Sequence, residues 1–196
     1  MVELDCVIPS IKKLNIQGFI IDDPFLNVFF SKCIPESLQL LNINFEKEAQ
    51  RSICDFYMNG FENALGKVIK EVYLNELVMS QTCFETIVKA SSKADKLTFR
   101  YCSIDSSTIL DFSGPIYSTS YISFRNSGQN GRSMWTLSNG KFQNITMAIS
   151  TSGLSKSLNK INVHDCGGIT VKKAKEILKS VGLSNVNVED KHNKPT

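Results

Sequence analysis

One string in this chain sets residue types close enough for nucleophilic chemistry: His164-Asp165-Cys166. A cysteine nucleophile needs its thiol within hydrogen-bond reach of an imidazole that can take its proton. The other histidine, His192, lies in the polar run at the end of the sequence. A zinc site needs three or four convergent His, Cys or carboxylate ligands, and no spacing here supplies them. There is no G-x-x-x-x-G-K-S/T loop to cradle phosphates, and no G-x-G-x-x-G turn after a strand. Asp22-Asp23 does not begin a calcium loop, because Pro24 and apolar residues follow it. The acidic pairs Asp22/Asp23 and Glu189/Asp190 read as turn and tail solvation. The chain is therefore expected to be non-catalytic, with no cofactor and no metal.

The elements that carry these residues belong to a protein of ordinary composition. Its 196 residues are 42% hydrophobic and 21% charged, which fits one soluble domain or a run of repeats. The 22 Lys and Arg against 19 Asp and Glu leave a formal charge of +3, with no basic stripe of the kind that binds nucleic acid. No apolar run reaches the ~18 residues of a membrane-spanning helix, so no membrane insertion is expected. The opening MVELDCVIPSIKK lacks the apolar core of a secretory signal. Six scattered cysteines without a C-x-x-C pair read as reduced thiols in a cytoplasmic protein. Asn144-Ile-Thr146 matches a glycosylation sequon, but it falls in a predicted helix and reads as chance.

A recurring phrase organises the chain. Leu158-x-x-Ile161-x-Val163-x-x-Cys166 reappears as Ile69-x-x-Val72-x-Leu74-x-x-Leu77-x-Met79 and as Ala94-x-x-Leu97-x-Phe99-x-x-Cys102-x-Ile104. Its central apolar pair falls at Leu14/Ile16, Leu41/Ile43, Val72/Leu74, Leu97/Phe99, Ile122/Phe124, Ile161/Val163 and Val186/Val188. The alternation predicts a half-buried strand at each. Between the pairs the period turns helical: over 24–33, 46–66, 80–93, 138–151 and 170–182. Ser80 and Thr170 are expected N-caps and Gly182 a C-cap. Gly114-Pro115 and the surrounding Ser and Thr predict irregular structure between Leu97 and Ile122. Residues 127–140, SGQNGRSMWTLSNG, form an inserted loop, of a length that in compact folds is often functional.

The phrase, with Cys166-Gly167-Gly168-Ile169 and a helix from Thr170 after it, resembles the leucine-rich-repeat superfamily. The similarity is to the ribonuclease-inhibitor-like type, in divergent form, and covers about residues 11–188. The steps between pairs are 27, 31, 25, 25, 39 and 25 residues; four lie within the roughly 20–29 of such repeats. The resemblance implies an α/β solenoid, a short curved horseshoe with a parallel sheet on its concave face and helices on its convex face. It implies one domain over 1–190 with a polar tail at 191–196. It also gives Cys102 and Cys166 an inward structural position, where the family places a group that satisfies the backbone of the turn.

In such a solenoid the residues beside the apolar pairs line the concave face. The set includes Tyr73, Arg100, Tyr121, Arg125 and His164, the expected contacts for a protein partner. Arg132 and Trp135 are the corresponding candidates in the loop. The expected function is a non-catalytic protein-interaction module. The alternative is a structural subunit of a larger assembly, contacting through edges and helices, because weakly capped ends leave self-association open.

Overall fold

The computed structural model describes residues 12–19, 38–45, 58–104, 109–125 and 137–191. Over these the chain forms β1 (Lys13–Phe19), β2 (Leu38–Phe45), α1 (Met58–Leu65), β3 (Val68–Asn75), β4 (Val78–Met79) and α2 (Gln81–Ala90). It continues through β5 (Lys96–Arg100), β6 (Ser103–Ile104), β7 (Tyr121–Arg125), α3 (Asn139–Ser150) and α4 (Leu154–Ser157). It ends with β8 (Lys160–His164), α5 (Val171–Ser180) and β9 (Asn187–Glu189). The expected α/β class is what forms. Seven strands make one sheet in the order β1-β2-β3-β5-β7-β8-β9, parallel at every junction. Parallel neighbours cannot be joined by a hairpin and need a crossover. Helices lie between β2 and β3, β3 and β5, β7 and β8, and β8 and β9. The crossover from β5 to β7 carries the irregular stretch expected around Gly114, whose φ of 111° suits a residue without a Cβ.

Alternation along each strand turns the apolar pairs to one side, where they meet the buried faces of α2, α3 and α5 in a single core. The pairs stack in register: Leu14, Leu41, Val72, Leu97, Ile122 and Ile161 form one row, and Ile16, Ile43, Leu74, Phe99, Phe124 and Val163 the next. Phe99 stacks on Phe124 at 5.8 Å, and Phe84 of α2 meets Phe99 edge-on at 5.2 Å. Burying such side chains stabilises by roughly 1.5–3 kcal/mol each. Leu14 and Ile16 on the outermost strand are only half-covered.

The second half of the phrase builds a smaller ladder. After β3 and β5 the chain passes through Glu76 (φ 62°) and Tyr101 (φ 50°), and after β8 through Asp165 (φ 52°). A left-handed conformation costs a non-glycine residue roughly 1–2 kcal/mol. The turns are held by bonds to the next strand, from Glu76 N to Arg100 O at 3.0 Å and from Tyr101 N to Arg125 O at 2.8 Å. Leu77 and Cys102 then enter the core, and β4 pairs with β6 in parallel.

Ser80 and Thr170 cap their helices, accepting from Cys83 N and Lys173 N at 3.2 Å each. Gly182 follows α5 at φ 81°. One expectation needs correction. The 25-residue step predicts the pair Val186/Val188 with Val186 opposite Ile161, but Val188 takes that place. Val186 N is drawn back to Leu183 O, so Val186 is buried from the turn before β9. The last strand thus turns one residue to the core instead of two.

Helix α1 falls within the expected 46–66 segment. Residues 46–57, the expected helix at 24–33, loop residues 127–136 with Arg132 and Trp135, and 192–196 lie outside the described residues. The end of the predicted loop is already helix, since Ser138 caps α3 with its Oγ accepting from Lys141 N. Among the described residues no helix is long and apolar enough to cross a membrane.

Candidate functional site

The sheet face away from the core gathers polar side chains in three rows across the strands. The first runs Lys13, Leu40, Glu71, Lys96, Tyr121, Lys160, Asn187. The second runs Asn15, Asn42, Tyr73, Thr98, Ser123, Asn162, Glu189, and the third Asn75, Arg100, Arg125, His164. The period of two and the parallel register alone produce this arrangement. All five candidates on the sheet stand on this face: Tyr121 in the first row, Tyr73 in the second, and Arg100, Arg125 and His164 in the third.

Much of the face is satisfied from within. Glu71 is buried, pairs with Lys96 Nζ at 2.9 Å and accepts from Thr98 Oγ1 at 3.0 Å. Lys96 Nζ and Lys160 Nζ lie 5.4 Å and 5.7 Å from the Tyr121 ring centre, one from each neighbouring strand, so the ring is held between two cations. The Tyr121 hydroxyl donates to Glu189 Oε1 at 3.0 Å, and Lys160 and Lys191 approach Glu189 Oε2 at 3.6 and 3.4 Å. Burial works against the Glu189 charge, but the Tyr121 hydroxyl and the two lysines outweigh it, and its pKa is lowered. Asn162, fully buried, donates through Nδ2 to Ser123 Oγ at 3.2 Å and to Lys191 O at 2.8 Å. Its Oδ1 accepts from Lys191 N at 3.0 Å, so the amide grips the backbone after β9 at both ends.

Of the expected contacts, Tyr73 and Arg125 are buried, while Arg100, Tyr121 and His164 are half-buried. Arg100 donates from its two terminal nitrogens to the hydroxyls of Tyr73 and Tyr101, each at 3.4 Å, and lies 4.7 Å from the centre of the Tyr101 ring. Burial opposes its charge, the two phenols favour it, and its pKa is raised. Asn42 Oδ1 and Asn75 Oδ1 are buried without a hydrogen bond.

The one candidate for nucleophilic chemistry is divided by the strand end. His164 Nδ1 lies 2.6 Å from Asp190 Oδ1, and Nε2 lies 3.3 Å from Asp165 Oδ2. The Cys166 thiol instead joins the core and donates to Phe124 O at 3.3 Å and His164 O at 3.6 Å. Cys102 does the same two repeats earlier, donating to Arg100 O at 3.3 Å and Leu74 O at 3.5 Å. Burial pushes the Cys102 thiol up to about 12. Among the described residues no three His, Cys, Asp or Glu side chains are grouped to hold a metal.

Tyr101 and Glu189 were absent from the expected set. Glu189, read as tail solvation, is in fact tied to Tyr121 and two lysines. Alternation from Val188 carries the signal, because the next residue must face the polar side. Tyr101 had no such signal, since its place depends on a left-handed turn that a tyrosine does not advertise. Comparison with family models, with characterised proteins and with solved structures returns no match.

Proposed function

We propose that this chain is a divergent leucine-rich-repeat solenoid of the ribonuclease-inhibitor-like type. In this reading it is a non-catalytic interaction module, holding a protein partner on the polar sheet face, the concave side of the horseshoe. The observation that carries it is the parallel sheet in chain order, with side chains aligned in rows and Arg100, Tyr121 and His164 half-exposed among them. Tyrosine and arginine on rigid strands lose little entropy when they are covered. Buried thiols at Cys83, Cys102 and Cys166 suit a reducing, cytoplasmic setting.

Affinity purification from the native source, followed by lysine cross-linking, tests the reading. A partner on the polar face links to Lys96, Lys160 and Lys191. Links confined to the exposed Lys172, Lys173, Lys175 and Lys179 of α5 count against it. The second reading is a structural subunit. It draws on β1, an edge strand whose Leu14 and Ile16 are half-covered while the same positions inside the sheet are buried. Light scattering decides this one: a monomer at every concentration speaks against self-assembly.

A further inference from the structure

Arg100 is a half-buried basic side chain on the sheet face with no carboxylate beside it among the described residues. Lys96 has Glu71, Lys160 and Lys191 share Glu189, and His164 has Asp190. Arg100 has two neutral phenols at 3.4 Å, long for a charged donor. Its neighbours in register are Asn75 and Arg125, neither a carboxylate. A half-buried cation has lost part of its hydration and is costly unless an anion replaces it. Here the Tyr73 hydroxyl and the Tyr101 hydroxyl and ring orient the guanidinium, and a planar fork matches a carboxylate with two parallel bonds.

Two more groups in the cluster are short of a partner. Asn42 Oδ1 and Asn75 Oδ1 are buried acceptors with no donor. Asn42 is in register with Tyr73, and Asn75 with Arg100. The cluster thus holds a cation without an anion and two buried acceptors without a donor among the described residues. A free phosphate ion supplies the first but brings no backbone N–H groups for the second. A peptide bearing an acidic side chain supplies both, through its carboxylate and its backbone N–H groups.

We propose that Arg100, Tyr73, Tyr101, Asn42 and Asn75 form a binding site for an acidic peptide segment, with Arg100 taking a glutamate or aspartate carboxylate. This rests on the interaction-module reading and gives its partner a chemistry. The probe is a blocked glycine peptide with one central glutamate, titrated against the full chain by NMR of the arginine side-chain N–H signals and of the backbone amides of β3 and β5, which the variants retain. Its glutamine and phosphoserine counterparts serve as comparisons.

The glutamate peptide is expected to shift the Arg100 signal saturably in the millimolar range, and the glutamine peptide to bind about tenfold more weakly or worse. Arg100→Gln should abolish the effect. Arg100→Lys should weaken it, because the charge remains and the fork is lost; it decides the matter if the glutamine variant does not fold. Equal binding of glutamate and glutamine peptides overturns the proposal, as does binding unchanged by either substitution. A phosphoserine peptide that binds where the glutamate peptide does not overturns it in favour of phosphate. A native partner cross-linked to the polar face and retained equally by Arg100→Gln leaves the module reading standing and removes this site. Peptide binding at Arg100, with native partners cross-linked only to α5, keeps the site and removes that reading.

Discussion

Asn162→Ala tests whether the polar face is held by its own hydrogen bonds. The substitution removes three bonds at once, to Ser123 Oγ, Lys191 O and Lys191 N. Net, such bonds contribute about 0.5–1.5 kcal/mol each. The two at Lys191 fall at the low end, because that residue is exposed and its freed backbone groups return to water. The Ser123 hydroxyl is buried and cannot do so, and a stranded buried group costs about 1–3 kcal/mol. The sum is about 2–4 kcal/mol, or about 4–16 °C in melting temperature for a chain of this size. Circular dichroism measures the shift, and amide exchange at Lys191 should show protection lost there first. Asn162→Asp sharpens the test. It retains the acceptor for Lys191 N but turns a carboxylate toward Lys191 O, so it should cost more at neutral pH and recover as the buried acid protonates. A melting temperature within about 1 °C of the wild type for Asn162→Ala, with Lys191 still protected, refutes the reasoning.

Further outcomes follow from the same geometry. Phe84→Ala should cost about 3–5 kcal/mol in denaturant unfolding, because Phe84 is buried edge-on against both Phe99 and Phe112. The Cys102 thiol stays neutral in the fold to about pH 12, so a thiol reagent should label it at the rate of unfolding. The unfolded chain releases that proton from about pH 9, so the contribution of Cys102 to stability is full below this and declines as pH rises toward 12. Cys102→Val removes the alkaline loss, measurable as a flatter stability profile there. The lowered pKa of Glu189 gives the opposite dependence. Its contribution is present above the ordinary carboxylate range and is lost as pH falls through the folded value; Glu189→Gln should flatten the acid side of the profile.

The residues that announced the fold did so through periodicity alone. A period of two at Val72/Leu74 and Leu97/Phe99 fixes which side faces the core, and equal steps of 25 residues fix the register between strands. The reading slipped at Val186 because sequence spacing cannot tell a strand residue from one buried by the turn before it. The polar face was legible as a set of residues and not as a surface. Glu71 and Lys96 sit 25 residues apart, so the step makes them neighbours in register, but it does not say that their side chains will pair at 2.9 Å and bury the carboxylate. For the same reason Tyr73 and Arg125, chosen as exposed contacts, are buried. The Cys102 and Cys166 thiols were legible because the repeat gives both the same place, and both donate to carbonyls of the strand before.

The two edges of the sheet differ in a way that bears on assembly. At β9 the strand is three residues long, turns Val188 alone to the core, and has its following backbone held by Asn162. A short, clipped strand offers little length for pairing. At β1 the strand runs seven residues and its apolar pair is half-covered. Among the described residues this is the longer edge, and a long edge with half-covered apolar side chains is the kind that recruits a further strand. Any contact that extends this sheet should therefore form at β1, where covering Leu14 and Ile16 adds apolar burial to the backbone bonds. A carboxylate partner at Arg100 would leave that edge untouched, since Arg100 stands in β5, with β3 and β2 between it and β1. The two proposed modes of association are thus separable by mutation: a charge at Ile16 should act on one and Arg100→Gln on the other.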